Sequence, residues 1–130
     1  MGLFGLFGSK EPSEKKEKKE IPWDRLTRIE QLDEIVEISK SVPVAIFKHS
    51  TSCGISRMAL RQFEGSYDLE ANQMRLFYLD LLSYREVSNE VSIRFQVIHQ
   101  SPQLIVIKNG IAVHSASHHG IMTSRLQDFI

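Results

Sequence analysis

The chain has 130 residues, 42% of them apolar and 25% charged, a composition that sets aside collagen-like, disordered and membrane-spanning classes. Sixteen Lys and Arg offset sixteen Asp and Glu, so no basic field draws the chain onto nucleic acid. Its one cysteine, Cys53, excludes an internal disulfide framework and a multi-thiolate metal site, and it points to a reducing compartment such as the cytoplasm.

The first residues, Gly2-Leu3-Phe4-Gly5-Leu6-Phe7-Gly8, lack the positive flank and the length of a signal-peptide core, and Leu6 spoils a myristoylation pattern. Residues 9 to 20 hold five Lys and four Glu with no large apolar residue, too little to offset the entropy of ordering. Residues 1–20 are therefore expected to be a disordered charged tail, 21–130 to be one domain, and no later stretch to span a membrane.

From Ile21 the texture changes. Thr27 and Glu30 form a capping-box pair, and Ile29, Leu32, Ile35 and Val36 recur at helical spacing up to Ser41, with Pro43 as the stop. Val44-Ala45-Ile46-Phe47 is a short continuous apolar run, the pattern of a central strand covered on both faces. Ile55, Met58, Ala59 and Phe63 fall on one face of a second helix ending near Gly65, and Leu76-Phe77-Tyr78-Leu79 is the next strand.

Ser83 and Glu86 form a second capping box ahead of Val87, Val91 and Phe95. Leu104 to Ile107 and Ile111 to Val113 flank Asn109-Gly110, the strongest short hairpin signal, and Met122, Leu126 and Phe129 suit a closing helix. The order predicts an α/β fold: a central mixed sheet of four or five strands with helices on both faces. Trp23, Phe47, Phe77 and Tyr78 are read as core.

Reactive groups in such sheets gather where a central strand hands over to the next helix, and Cys53 lies there. Unpaired N–H groups at a helix start favour the thiolate, the form that attacks disulfides. Its neighbours Ser50, Thr51, Ser52 and Gly54 are small, which suits an exposed turn better than a packed face. Ser101-Pro102-Gln103 places a proline at the mouth of the Leu104 strand, where a cis bond fits. Lys48, His49 and Arg57 could bring positive charge to the thiol or to carboxylates of a small thiol. His114, His118 and His119 have no companion ligand motif and are assigned surface or structural roles, with no metal.

These residues resemble the thioredoxin-like superfamily, in which a cysteine after a central strand faces a cis-proline opening an antiparallel strand. Ser52-Cys53-Gly54-Ile55-Ser56, with Phe47-Lys48-His49-Ser50, Ser101-Pro102-Gln103, Lys108-Asn109-Gly110 and Ala116-Ser117-His118, is similar to the landmarks of the monothiol bacilliredoxin family. That family's site reads Thr-Cys-Pro-Ile-Ser; here Ser52 and Gly54 replace the threonine and the proline.

The resemblance implies that Cys53 takes bacillithiol, or a similar low-molecular-weight thiol, from mixed disulfides on S-thiolated proteins. The small thiol is a co-substrate, with no resident cofactor, and Ser101 and Pro102 join Lys48, His49 and Arg57 as substrate-binding candidates. A serine hydroxyl is too weakly acidic to attack a disulfide, so Ser56 cannot act as the resolving group. Cys-Gly-Ile-Ser also looks like the Cys-Gly-Phe-Ser of monothiol glutaredoxins, which leaves an iron–sulfur carrier or a non-enzymatic adaptor as alternatives.

Overall fold

The computed structural model describes residues 21–130; the expected N-terminal tail lies outside them. Five strands, β1 (Trp23–Arg25), β2 (Val44–His49), β3 (Arg75–Asp80), β4 (Gln103–Lys108) and β5 (Ile111–Ser117), form one sheet in the order β1-β3-β2-β4-β5. The pairs β1–β3 and β2–β3 are parallel, and β2–β4 and β4–β5 are antiparallel. The helices are α1 (Gln31–Ile38), α2 (Gly54–Ser66), α3 (Arg85–Phe95) and the four-residue α4 (His119–Met122), followed by a 3₁₀ turn, Leu126–Phe129. This is the expected thioredoxin-like α/β arrangement.

The apolar run at Val44 is buried along its whole length because β2 lies mid-sheet with a core on each side. Val44 and Ile46 pack with Leu32, Ile35, Val87, Val91 and Phe95 under α1 and α3. Ala45 and Phe47 point the other way, onto Ala59, Phe63 and Ile121 of α2 and α4. A strand's two-residue period thus divides one continuous run between two cores. Asn109 and Gly110 take φ of 52° and 77°, the positive values a two-residue hairpin turn needs. The Ser39 carbonyl and Oγ accept their N–H groups, each at 2.8 Å.

Several local expectations give way to stronger partners. α1 starts at Gln31 without a side-chain cap. The Gln31 Oε1 accepts the Thr27 and Arg28 N–H groups, so the longer amide does the work expected of the Thr27/Glu30 pair. That helix ends at Ile38 and continues only as tight turns to Val42. Ser83 caps nothing: its hydroxyl donates to Asp80 Oδ2 at 3.0 Å, and Tyr84 holds the N-cap position of α3. The closing helix divides in two, because the hydroxyls of Thr123 and Ser124 both turn back onto the Gly120 carbonyl. β1 was not anticipated. Only three residues long, it is held by the Arg75–Asp24 ion pair at 2.8 Å and by Trp23 Nε1 donating to Glu64 Oε2 at 2.7 Å.

Candidate active site

Cys53 occupies the N-cap of α2 with extended backbone, and its side chain makes no capping bond. The Cys53 N–H closes a turn onto the Ser50 carbonyl at 3.2 Å, and its own carbonyl accepts from Arg57 N–H at 3.0 Å. The partly exposed thiol is thus fixed through its backbone and chemically unencumbered. Ser52 lies in the same turn, its hydroxyl 3.4 Å from that of Ser50. The Arg57 guanidinium donates to the Thr51 carbonyl at 3.1 Å, which draws a positive charge over the turn.

α2 is rolled relative to the apolar spacing of its sequence. Ser56, Ala59 and Phe63 are its buried residues, whereas Ile55 and Met58 are about half exposed. Ser56 can go inside because its hydroxyl has partners there: Oγ accepts from Ser50 N–H at 3.0 Å and meets His49 Nδ1 at 2.8 Å. With one lone pair used by Ser50, the hydroxyl can donate to a bare Nδ1 or accept from Nδ1–H through its second lone pair, so the contact suits either form of the imidazole. Burial holds His49 below its ordinary value. Arg57 acts in the same direction, while Asp80 and Glu64 pull it back up.

The peptide between Ser101 and Pro102 is cis, the isomer for which the sequence position gave reason. β4 begins one residue later with Gln103 opposite Lys48. Carrying that antiparallel register one step further sets Pro102 beside His49, at the strand end that feeds the Cys53 turn. Cys53, Ser52, Gly54, Ile55, Ser56, His49, Arg57, Ser101 and Pro102 therefore gather at one end of the sheet.

Lys48 does not join them. Read from sequence as a charge flanking a turn and a substrate binder, it is the fifth residue of β2 and is completely buried. Its side chain emerges on the face of Val44 and Ile46, opposite to α2. Its Nζ donates to the Ser88 carbonyl and the Ser92 hydroxyl, both at 3.1 Å, and lies 3.2 Å from His99 Nδ1. Burial lowers the ammonium to about 8. The alternation that sends His49 toward Ser56 necessarily sends Lys48 the other way.

Tyr78 was read as plain core, yet it belongs to the site's flank. Its ring lies 5.7 Å from that of His49, with the Arg25 guanidinium 4.7 Å from its centroid. The signal was available in the strand period, since Tyr78 is the β3 partner of Phe47, two residues before His49. His114 meets Ser124 Oγ at 2.9 Å and packs on Phe129, a structural role as expected. Among the described residues no helix is long and apolar enough to cross a membrane.

A family model described as monothiol bacilliredoxin BrxC matches residues 24–126. A solved protein with a thioredoxin fold, described as an oxidoreductase, is similar at 30% identity over 83% of this chain and 94% of its own, with a TM-score of 0.70. Thioredoxin from Fasciola hepatica superposes with a TM-score of 0.63 at 18% identity, covering 82% of this chain and 94% of its own. Thioredoxin from Malassezia sympodialis gives 0.62 at 22% identity, covering 81% and 84%. The last two likenesses concern the fold.

Proposed function

Because the chain belongs to the monothiol bacilliredoxin family and is thereby a thiol oxidoreductase, we propose that it removes bacillithiol, or a closely similar small thiol, from mixed disulfides on cytoplasmic proteins. The Cys53 thiolate attacks the small-thiol sulfur of protein–S–S–R. A Cys53–S–S–R bond forms, the S–S bond between the protein's cysteine and the small thiol breaks, and the protein leaves as a thiolate that takes its proton from water. No net oxidation occurs in this exchange. A second small thiol, as its thiolate, then attacks the adduct, releases R–S–S–R and restores Cys53.

The observation that carries this reading is the position of Ser56. The residue one turn after Cys53 is a fully buried hydroxyl committed to His49 and Ser50, so the adduct has no internal group to expel it and must await an outside thiol. Intact mass after exposure to oxidised bacillithiol and to oxidised glutathione tests it. The expected result is one stable adduct on Cys53, faster with bacillithiol, and none on Cys53→Ala. Equal or absent labelling by bacillithiol overturns the choice of small thiol. The Cys-Gly-Ile-Ser resemblance keeps an iron–sulfur carrier as the second reading. Each chain would supply one thiolate, so a brown, thiol-dependent dimer after anaerobic reconstitution would favour it over the exchange enzyme.

A further inference from the structure

A lysine sealed inside a sheet protein without a carboxylate is expensive, since a buried charge costs several kcal/mol unless it is compensated. Lys48 is fully buried, and among the described residues no ion pair includes it; its three partners are neutral oxygens and an imidazole. A methionine of similar length would fill the same space without that cost. The ammonium is placed to reach two elements at once: Ser88 and Ser92 on α3, and His99 in the connection from α3 to β4. Burial, then the Lys48 ammonium and the Arg85 guanidinium, all lower the His99 imidazole from its ordinary value.

The cross-strand neighbour of Lys48 is Gln103, also buried and on the same face. Its Nε2 donates to the Ile98 carbonyl at 2.9 Å and to Ser115 Oγ at 3.1 Å, and its Oε1 accepts from Gln100 N–H at 3.3 Å. Two adjacent buried polar side chains therefore take hold of three consecutive residues, Ile98, His99 and Gln100, whose chain runs directly into Ser101 and Pro102. Those three residues are otherwise exposed, Ile98 at 83%, so little apolar burial holds them.

We infer that Lys48, with Gln103, is a positioning residue for thiol exchange. The pair brackets segment 98–101 so that Pro102 is presented beside His49 and the Cys53 turn, where the chain carrying a mixed disulfide must lie. The inference rests on the exchange reading but not on which small thiol is used. It also separates two kinds of disulfide. A small symmetric reagent needs only the thiolate, whereas a peptide-borne disulfide needs the bracketed segment as a wall.

The experiment compares wild type with Lys48→Met and His99→Leu. The second variant changes an exposed side chain, so the bracket is also broken without touching the core. Rates are measured with 2,2′-dipyridyl disulfide and with a model peptide carrying a mixed disulfide with bacillithiol or, in parallel, glutathione. Both variants are expected to keep the dipyridyl rate within about twofold and to lose tenfold or more on whichever peptide adduct wild type prefers. Amide exchange is expected to quicken at residues 98–101 and not in β2 or α2. In Lys48→Met the His99 imidazole is expected to titrate at higher pH than in wild type, because a neighbouring cation is gone. Equal losses on both disulfides, or unchanged protection at 98–101, overturn the bracket. A wild type that prefers the glutathione adduct overturns the bacillithiol assignment while leaving the bracket readable.

Discussion

Replacing Ser56 by alanine removes one oxygen that serves two groups. The Ser50 N–H loses its acceptor at 3.0 Å and His49 Nδ1 loses its partner at 2.8 Å, in a position with no solvent access at Ser56. A buried polar group left unpaired costs about 1–3 kcal/mol. The backbone N–H and the imidazole, itself buried, are both left without this partner, so the expected loss is about 2–6 kcal/mol. Urea unfolding followed by Trp23 fluorescence reads it, since that indole packs 5.7 Å from Phe63 of α2. A loss under about 0.5 kcal/mol, the scale of a surface substitution, would refute the claim that this hydroxyl anchors the turn. Adduct formation by Ser56→Ala should survive in kind, because Ser56 takes no chemical part in it. Ser56→Cys restores a weaker hydrogen-bonding group and adds a thiol one turn from Cys53, so its small-thiol adduct should be short-lived by intact mass.

Lys48 makes stability depend on pH. Its folded value near 8 lies below the ordinary 10.5, so between these values the unfolded chain keeps a proton that the folded chain has released. Wild type should therefore gain roughly 1 kcal/mol per pH unit relative to Lys48→Met across that window, read from urea midpoints; parallel curves would contradict the burial of the charge. His49 acts at the acid end, also with a lowered folded value. Its contribution is intact above pH about 6.5 and is lost as pH falls, so wild type should weaken below that pH more than His49→Asn does in the same titration. Gly54 opens α2 with ordinary φ, and a Cβ there would meet only Arg57 Nη2, at 3.7 Å. Gly54→Pro, the residue the family carries, should raise stability by about 0.4–1 kcal/mol through the unfolded state and leave exchange in place; a drop in thermal midpoint would count against it.

The fold was legible wherever a pattern was local. The run at Val44, the Asn109-Gly110 turn and the proline before Gln103 each carry their reason within a few residues, and together they locate the Cys53 junction. Lys48 was misplaced because its environment is not local. Its partners Ser88, Ser92 and His99 are 40 to 51 positions away, and without them a lysine beside a histidine reads as the solvated end of a strand. The roll of α2 was hidden for the same reason: Ile55 and Met58 look like core until Ser56 is seen to have two buried partners. β1 has one large apolar residue in three and owes its place to Asp24 and Trp23 reaching Arg75 and Glu64. Gln31 displaced Thr27 at the start of α1 by the reach of its side chain, which a pattern of residue types does not record.

The hairpin turn at Asn109-Gly110 has a practical consequence for anyone altering this chain. A two-residue turn that joins an edge strand to its neighbour is ordinarily a good place to splice in a tag or a reporter peptide. Here both turn amides are moored to Ser39, whose hydroxyl also donates to the Val36 carbonyl at 2.7 Å, and Gly110 faces Val36 with a Cβ gap of only 3.3 Å. An insertion at this tip would unfasten the end of α1 from the hairpin 70 residues later and open the core beneath it. The exposed stretch around Ala71 and Asn72, between α2 and β3, offers a splice point without that mooring.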